Sequence, residues 1–274
     1  MKFDLDTAWK DATGLLSRNF GLLAVIAGVF FFLPYAGITL ALPEVADLQK
    51  AQATGNPDTM MAAVTELYVG YWWVFLILAL VQGAGLLAML ALVRRRANPT
   101  VGEALATGAR SVPSYIAAQL MQSALIAIVA MLLVGLGAVT GLQLLAALGG
   151  VIAFVVICYI VTKLSLAAPV IAIEGELNPI RALRRSWSLT RGNSVRLFAF
   201  YLLLLIAFIV LSAVLSLVFG LGFALFGEQA ALLGEAVMSG FVNATMIVIV
   251  VCVLAAVHTQ LNRLARGPDG AVEA

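Results

Sequence analysis

Residues 111–162 read SVPSYIAAQLMQSALIAIVAMLLVGLGAVTGLQLLAALGGVIAFVVICYIVT, 52 residues without an Asp, Glu, Lys, Arg or His. About 20 apolar helical residues cross the roughly 30 Å of a bilayer's hydrocarbon. This stretch is therefore long enough for two spans, with Gly135, Gly137, Thr140 and Gly141 supplying the turn. Four more stretches are equally free of charge: 19–43, 67–93, 197–227 and 236–257. The reading is an all-α, polytopic membrane bundle. Its six transmembrane helices fall near 20–42, 69–93, 115–136, 142–163, 197–222 and 236–257.

Composition agrees. Hydrophobic residues make up 63% of the 274 and charged residues 11%, against about 45–50% and 25% in soluble domains. Mean hydropathy is +1.06. A net charge of +2 gives no reason to expect nucleic acid as a partner. Residues 1–19 mix Asp4, Asp6 and Asp11 with Lys2, Lys10 and Arg18, unlike the short basic start of a secretory signal, so 20–42 reads as a retained span. Cys158 and Cys252 lie inside apolar runs and read as buried thiols, not as a disulfide.

Charge placement sets the expected topology. Of the 16 Lys and Arg, 15 fall before span one, between spans two and three, between four and five, or from the end of span six onward. Lys50 alone lies on the other side, with Glu44, Asp47, Asp58, Glu66, Glu228 and Glu235. Both termini are expected in the cytoplasm and the protein in a bacterial inner membrane. Tyr68, Tyr71, Trp72 and Trp73 read as an aromatic anchor at the outer end of span two. Pro34 is expected to kink span one.

Three amphipathic helices are expected at the cytoplasmic interface. The first places Leu5, Ala8, Trp9, Ala12, Leu15, Leu16 and Phe20 on one face. The second starts at Asn98-Pro99 and the third at Asn178-Pro179, each a cap followed by a first-turn proline; Gly192 and Asn193 stop the third. Each precedes a pair of spans. The chain thus reads as one membrane domain, 1–274, of three helix-plus-hairpin units near 3–93, 98–173 and 178–257.

The segment Pro169–Asn193, PVIAIEGELNPIRALRRSWSLTRGN, resembles the membrane domain attached to some bacterial glycerophosphodiester phosphodiesterases, and its stand-alone relatives. Glu174-Gly175, Asn178-Pro179, Ala182-Leu183, Ser186-Trp187, Leu189-Thr190 and Gly192-Asn193 carry the resemblance. It implies a multi-span helical domain. It does not imply the phosphodiesterase activity, which resides in a separate soluble domain of the fused members.

No catalytic, cofactor or metal site is expected. The spans hold no Asp or Glu, His258 is the single histidine, and no GxSxG, HExxH or P-loop occurs. Lys163 reads as a snorkelling anchor at the end of span four, with 164–173 running on along the interface. His258 reads as an interface residue. Gln82, Gln119, Gln122, Gln143 and Asn243 are expected to hydrogen-bond between helices, and Gly240 with Ala244 to let span six pack closely. The candidate site is an anionic-lipid contact by Arg181, Arg184, Arg185, Trp187 and Arg191. The expected function is non-enzymatic: an accessory, scaffolding or membrane-maintenance protein whose partners are lipids and a membrane protein. The alternative is lipid handling or small-molecule transport, for which Gly149-Gly150 and Gly220-Leu221-Gly222 would break their helices.

Overall fold

The computed structural model describes residues 2–42, 44–45, 48, 51, 54–93, 100–139 and 143–266. Asp47, Lys50, Arg94, Arg95, Arg96, Asn98, Pro99, Thr140 and Gly141 lie outside these, as do the cap, turn and charge placement expected there. All regular structure among the described residues is helical: α1 (Leu5–Ala27), α2 (Leu33–Ala41), α3 (Pro57–Leu92), α4 (Val101–Val139), α5 (Gln143–Leu164), α6 (Pro179–Leu189), α7 (Ser194–Ala224) and α8 (Glu228–Arg266). Six helical runs are long and apolar enough to cross a membrane.

Asp4 caps α1 by accepting from the Thr7 amide at 3.2 Å. This supplies an acceptor to an amide that has no partner within the first turn. Ala8, Ala12 and Leu15 face the core, while Trp9 and Phe20 stay exposed. The predicted amphipathic face is thus split between protein and surroundings. Helix α1 continues through a widened π turn, Gly28–Phe32, into α2 without a break. The Leu33 amide donates back to Gly28 O. The wide turn therefore accommodates Pro34, which has no N–H to give.

The continuous run Leu5–Ala41 has 37 residues, about 55 Å at 1.5 Å each, more than the hydrocarbon needs. The first expected interfacial helix is the start of this long rod, and the second likewise begins α4. Only the third, α6, is a separate element. Gly149-Gly150 and Gly220-Leu221-Gly222 remain inside unbroken helices, contrary to the expected discontinuities. In hydrocarbon a broken turn would leave backbone groups without water. That penalty exceeds the roughly 1 kcal/mol glycine costs a helix.

Helix α8 is the axis of the basic end. From Val251 to His258 every residue except Leu254 is buried, because α1, α3, α6 and α7 all pack on it. Gly240 lets it approach span one: a Cβ there would sit 3.1 Å from the Phe32 ring and 3.3 Å from Phe32 O. Helix α7, in contrast, buries none of its most apolar stretch. It is a peripheral, outward-facing span. Gln260 Nε2 donates to Asp4 O at 3.2 Å, so the start of α1 and the end of α8 share one end of the bundle. Arg181, Arg184, Arg185, Arg191, Arg196, Arg263 and Arg266 gather at this basic end.

Candidate functional site

The break that the glycines do not make occurs after α5. Ser165 and Leu166 leave the helix, Ala167–Pro169 form one helical turn, and Val170–Glu174 a widened turn. Gly175 then reverses the chain at φ +78°, a conformation that penalises any residue with a Cβ. Asn178 restarts it: its Oδ1 accepts from the amides of Ile180 (3.0 Å) and Arg181 (3.2 Å). Pro179 occupies the first turn of α6, where an N–H is not needed. The segment does not run along the interface. Leu166, Val170, Ile171 and Ala172 are all at most 2% exposed, packed among α3, α4, α6 and α8.

A buried break leaves backbone groups that must find partners. Two side chains four apart on α6 supply them. Ser186 Oγ donates to Lys163 O at 2.8 Å and accepts from the Leu166 amide at 3.1 Å. Thr190 Oγ1 approaches the same carbonyl at 3.4 Å. Both residues are fully buried.

Glu174 closes the arrangement from the other side. Its Oε1 accepts from His258 Nε2 at 2.9 Å and from Asn262 Nδ2 at 3.2 Å, and its Oε2 from Arg185 Nε at 3.2 Å. Arg185 Nη2 also donates to Asn262 Oδ1 at 2.7 Å. Because an ionised carboxylate only accepts, His258 carries its proton on Nε2 in this pair. The His258 side chain is 3% exposed, Glu174 24% and Arg185 38%. The ring of contacts joins the break, α6 and α8. Its acceptors are occupied by protein donors, so it is built as a tie.

The arginines expected to act together are thereby separated. Arg185 is committed to Glu174 and Asn262. Arg181, Arg184 and Arg191 remain exposed. Trp187 stacks edge-on against Tyr159, with centroids 5.8 Å apart at 89°. Lys163 does not snorkel: it is 3% exposed, its Nζ held 5.5 Å from the Tyr159 centroid and 5.4 Å from that of Trp187. His258 is likewise a buried, paired residue. Gln119, expected to bond between helices, is exposed. Sequence reasoning missed the Glu174 tie. The available signal was His258 and Asn262 four apart on one face of α8, matching the four-residue spacing of Ser186 and Thr190.

An apolar groove of about 460 Å³ lies at the same end between α1, α5, α7 and α8, with Trp9, Ser165, Tyr201, Phe208 and Val250 among its walls. Ser165 and Tyr201 hydrogen-bond at 3.2 Å. Among the described residues no three His, Cys, Asp or Glu side chains come together as metal ligands would.

Six spans and an apolar exterior make this chain a polytopic α-helical integral membrane protein. Residues 138–262, just under half of it, match the family model described as the membrane domain of glycerophosphoryl diester phosphodiesterase. The match takes in α5 through most of α8, and with them Lys163, Glu174, Arg185, His258 and Asn262. It also covers the whole Pro169–Asn193 segment on which the resemblance was read. No curated protein and no solved structure matches the chain.

Proposed function

We propose that this is a non-enzymatic protein of the bacterial inner membrane, with both termini in the cytoplasm and an accessory role as scaffold or in membrane maintenance. Lipids and a membrane protein are its partners. One observation carries this reading. The buried polar residues Ser111, Ser114, Thr162, Lys163, Ser186, Thr190 and His258 all sit at the basic end, and the best connected of them hold segments together. Deeper in the bundle the buried side chains among the described residues are apolar, Leu23, Ala27, Phe31, Ala118, Ala153 and Val248 among them. Substrate passage favours polar groups along a path, and hydrolysis a nucleophile, base or metal open to substrate. The donors around Glu174 leave no such opening. The matched family model describes a membrane domain, which fits a part that works beside an enzyme.

The test is turnover by purified protein in liposomes, with a glycerophosphodiester substrate and divalent metal supplied. The expected result is none above protein-free liposomes. Turnover that vanishes in His258→Ala would overturn the reading. The groove beside Tyr201 supports a second reading, lipid handling. Transfer of a labelled phospholipid between vesicles, blocked by a bulky substitution such as Ala207→Trp, would favour it over the scaffold.

A further inference from the structure

Lys163 stands apart from the other buried polar residues because it carries a charge that no opposite charge among the described residues meets. Its Nζ has two aromatic faces beside it, and Thr190 Oγ1 lies 3.4 Å from Lys163 O, so the next residue, Arg191, brings another cation to the same place. Among the described residues it has no carboxylate partner and no hydrogen bond from Nζ. A cation removed from water without a counter-ion is costly, and ring faces return only part of that cost. The rings beside it are exposed, Tyr159 by 47% and Trp187 by 40%. Arg191 follows α6 in the next turn and is exposed as well.

We propose that Lys163, Arg191, Tyr159 and Trp187 form a binding site for the phosphate of an anionic lipid. The phosphate pairs with the two cations, and the apolar body of the lipid lies along the exposed rings. Buried ammonium, exposed guanidinium and aromatic flank suit a phosphodiester anion that carries hydrocarbon. The proposal rests on the reading that the basic end faces the cytoplasmic leaflet. It differs from a general basic surface in depending on Lys163, and in omitting Arg185, which Glu174 and Asn262 already hold.

The test uses the full chain with Trp9, Trp72 and Trp73 replaced by Phe, leaving Trp187 as the only indole. It is reconstituted in phosphatidylcholine vesicles containing brominated phosphatidylglycerol or, separately, brominated phosphatidylcholine. Phosphatidylglycerol is expected to quench Trp187 at a lower mole fraction than phosphatidylcholine, by about fivefold for each cation engaged. Lys163→Gln is expected to lose its share of that preference, and Arg263→Gln to keep all of it. Protection of Cys252 from maleimide, equal to the parent's, shows that Lys163→Gln is folded. Should that variant fail to fold, Arg191→Gln carries the same expectation. Equal quenching by both lipids would overturn the lipid site while leaving the orientation intact. No quenching by either would show that Trp187 meets no lipid and would overturn the site; the orientation is read separately, from the sided labelling of residues 55 and 184. A preference abolished by excess inorganic phosphate would overturn the lipid source and leave a site for free phosphate.

Discussion

Replacing Glu174 by Ala removes the one carboxylate on which the break after α5, α6 and α8 converge. Three donors then lose their acceptor: His258 Nε2, Asn262 Nδ2 and Arg185 Nε. With its side chain only 3% exposed, His258 is left with an unpaired buried donor, which costs about 1–3 kcal/mol. Arg185, at 38% exposed, rehydrates, and its share falls toward the surface-pair value of about 0–1 kcal/mol. Together with the Asn262 bond the loss comes to about 3 kcal/mol. Glu174→Gln keeps an acceptor and gives up the charge, so about half of that is expected. Cys252, only 1% exposed, reports unfolding through a thiol-reactive dye once Cys158 is replaced by Ala. At about 2–4 °C per kcal/mol for a chain near this size, Glu174→Ala should lower the melting midpoint by about 6–12 °C. Exposed Glu235→Ala should leave it unchanged. Combining Glu174→Ala with His258→Ala should cost clearly less than the two single changes added, because they delete one shared bond. A Glu174→Ala midpoint indistinguishable from that of Glu235→Ala would refute the tie.

The paired arginines should behave differently on charge-conserving replacement. Arg184→Lys leaves the melting midpoint unchanged, whereas Arg185→Lys lowers it by a few degrees, because an ammonium cannot reach Glu174 and Asn262 with one planar fork. The same melting assay separates two glycines of α4. At Gly108 a Cβ would sit 2.6 Å from Ala84 O and 2.9 Å from Ala88 N, while at Gly102 nothing lies within 4 Å. Gly108→Ala therefore destabilises by forcing α3 and α4 apart. Gly102→Ala is neutral or stabilising, by up to about 1 kcal/mol of helix propensity.

The spans were legible because a bilayer selects on composition alone: twenty residues without charge suffice, and 111–162 declares two spans by length. Helix ends were less legible. The rule marks where hydrocarbon stops, while Leu5–Ala41 and Gln229–Arg266 continue past it on capping and packing. In place of the kink expected at Pro34, a widened turn at Gly28–Phe32 accommodates the proline within one continuous rod. The buried course of 166–172 was hidden because an apolar run reads alike whether lipid or protein covers it. Asn178-Pro179 did mark where the helix after the break restarts. Arg185 was read with its neighbours, since on α6 nothing local distinguishes it from Arg184. Its partner Glu174 lies 11 residues away, and Asn262 lies 77 away. The pairing of Glu174 with His258, 84 residues apart, follows from how α8 packs against the break, which no local period encodes.

Six spans with a tied basic end in the cytoplasm are tested most directly by sided labelling with a membrane-impermeant maleimide. Single cysteines at Gly55, Arg184 and Arg266 are placed in a chain whose Cys158 and Cys252 are replaced by Ala. The account predicts that the residue at 55 is labelled in intact cells stripped of their outer barrier. Those at 184 and 266 should be labelled only in inverted vesicles. Labelling of 55 and 184 from the same side would contradict the six-span arrangement, and with it the placement of Lys163 and the Glu174 tie at the cytoplasmic leaflet.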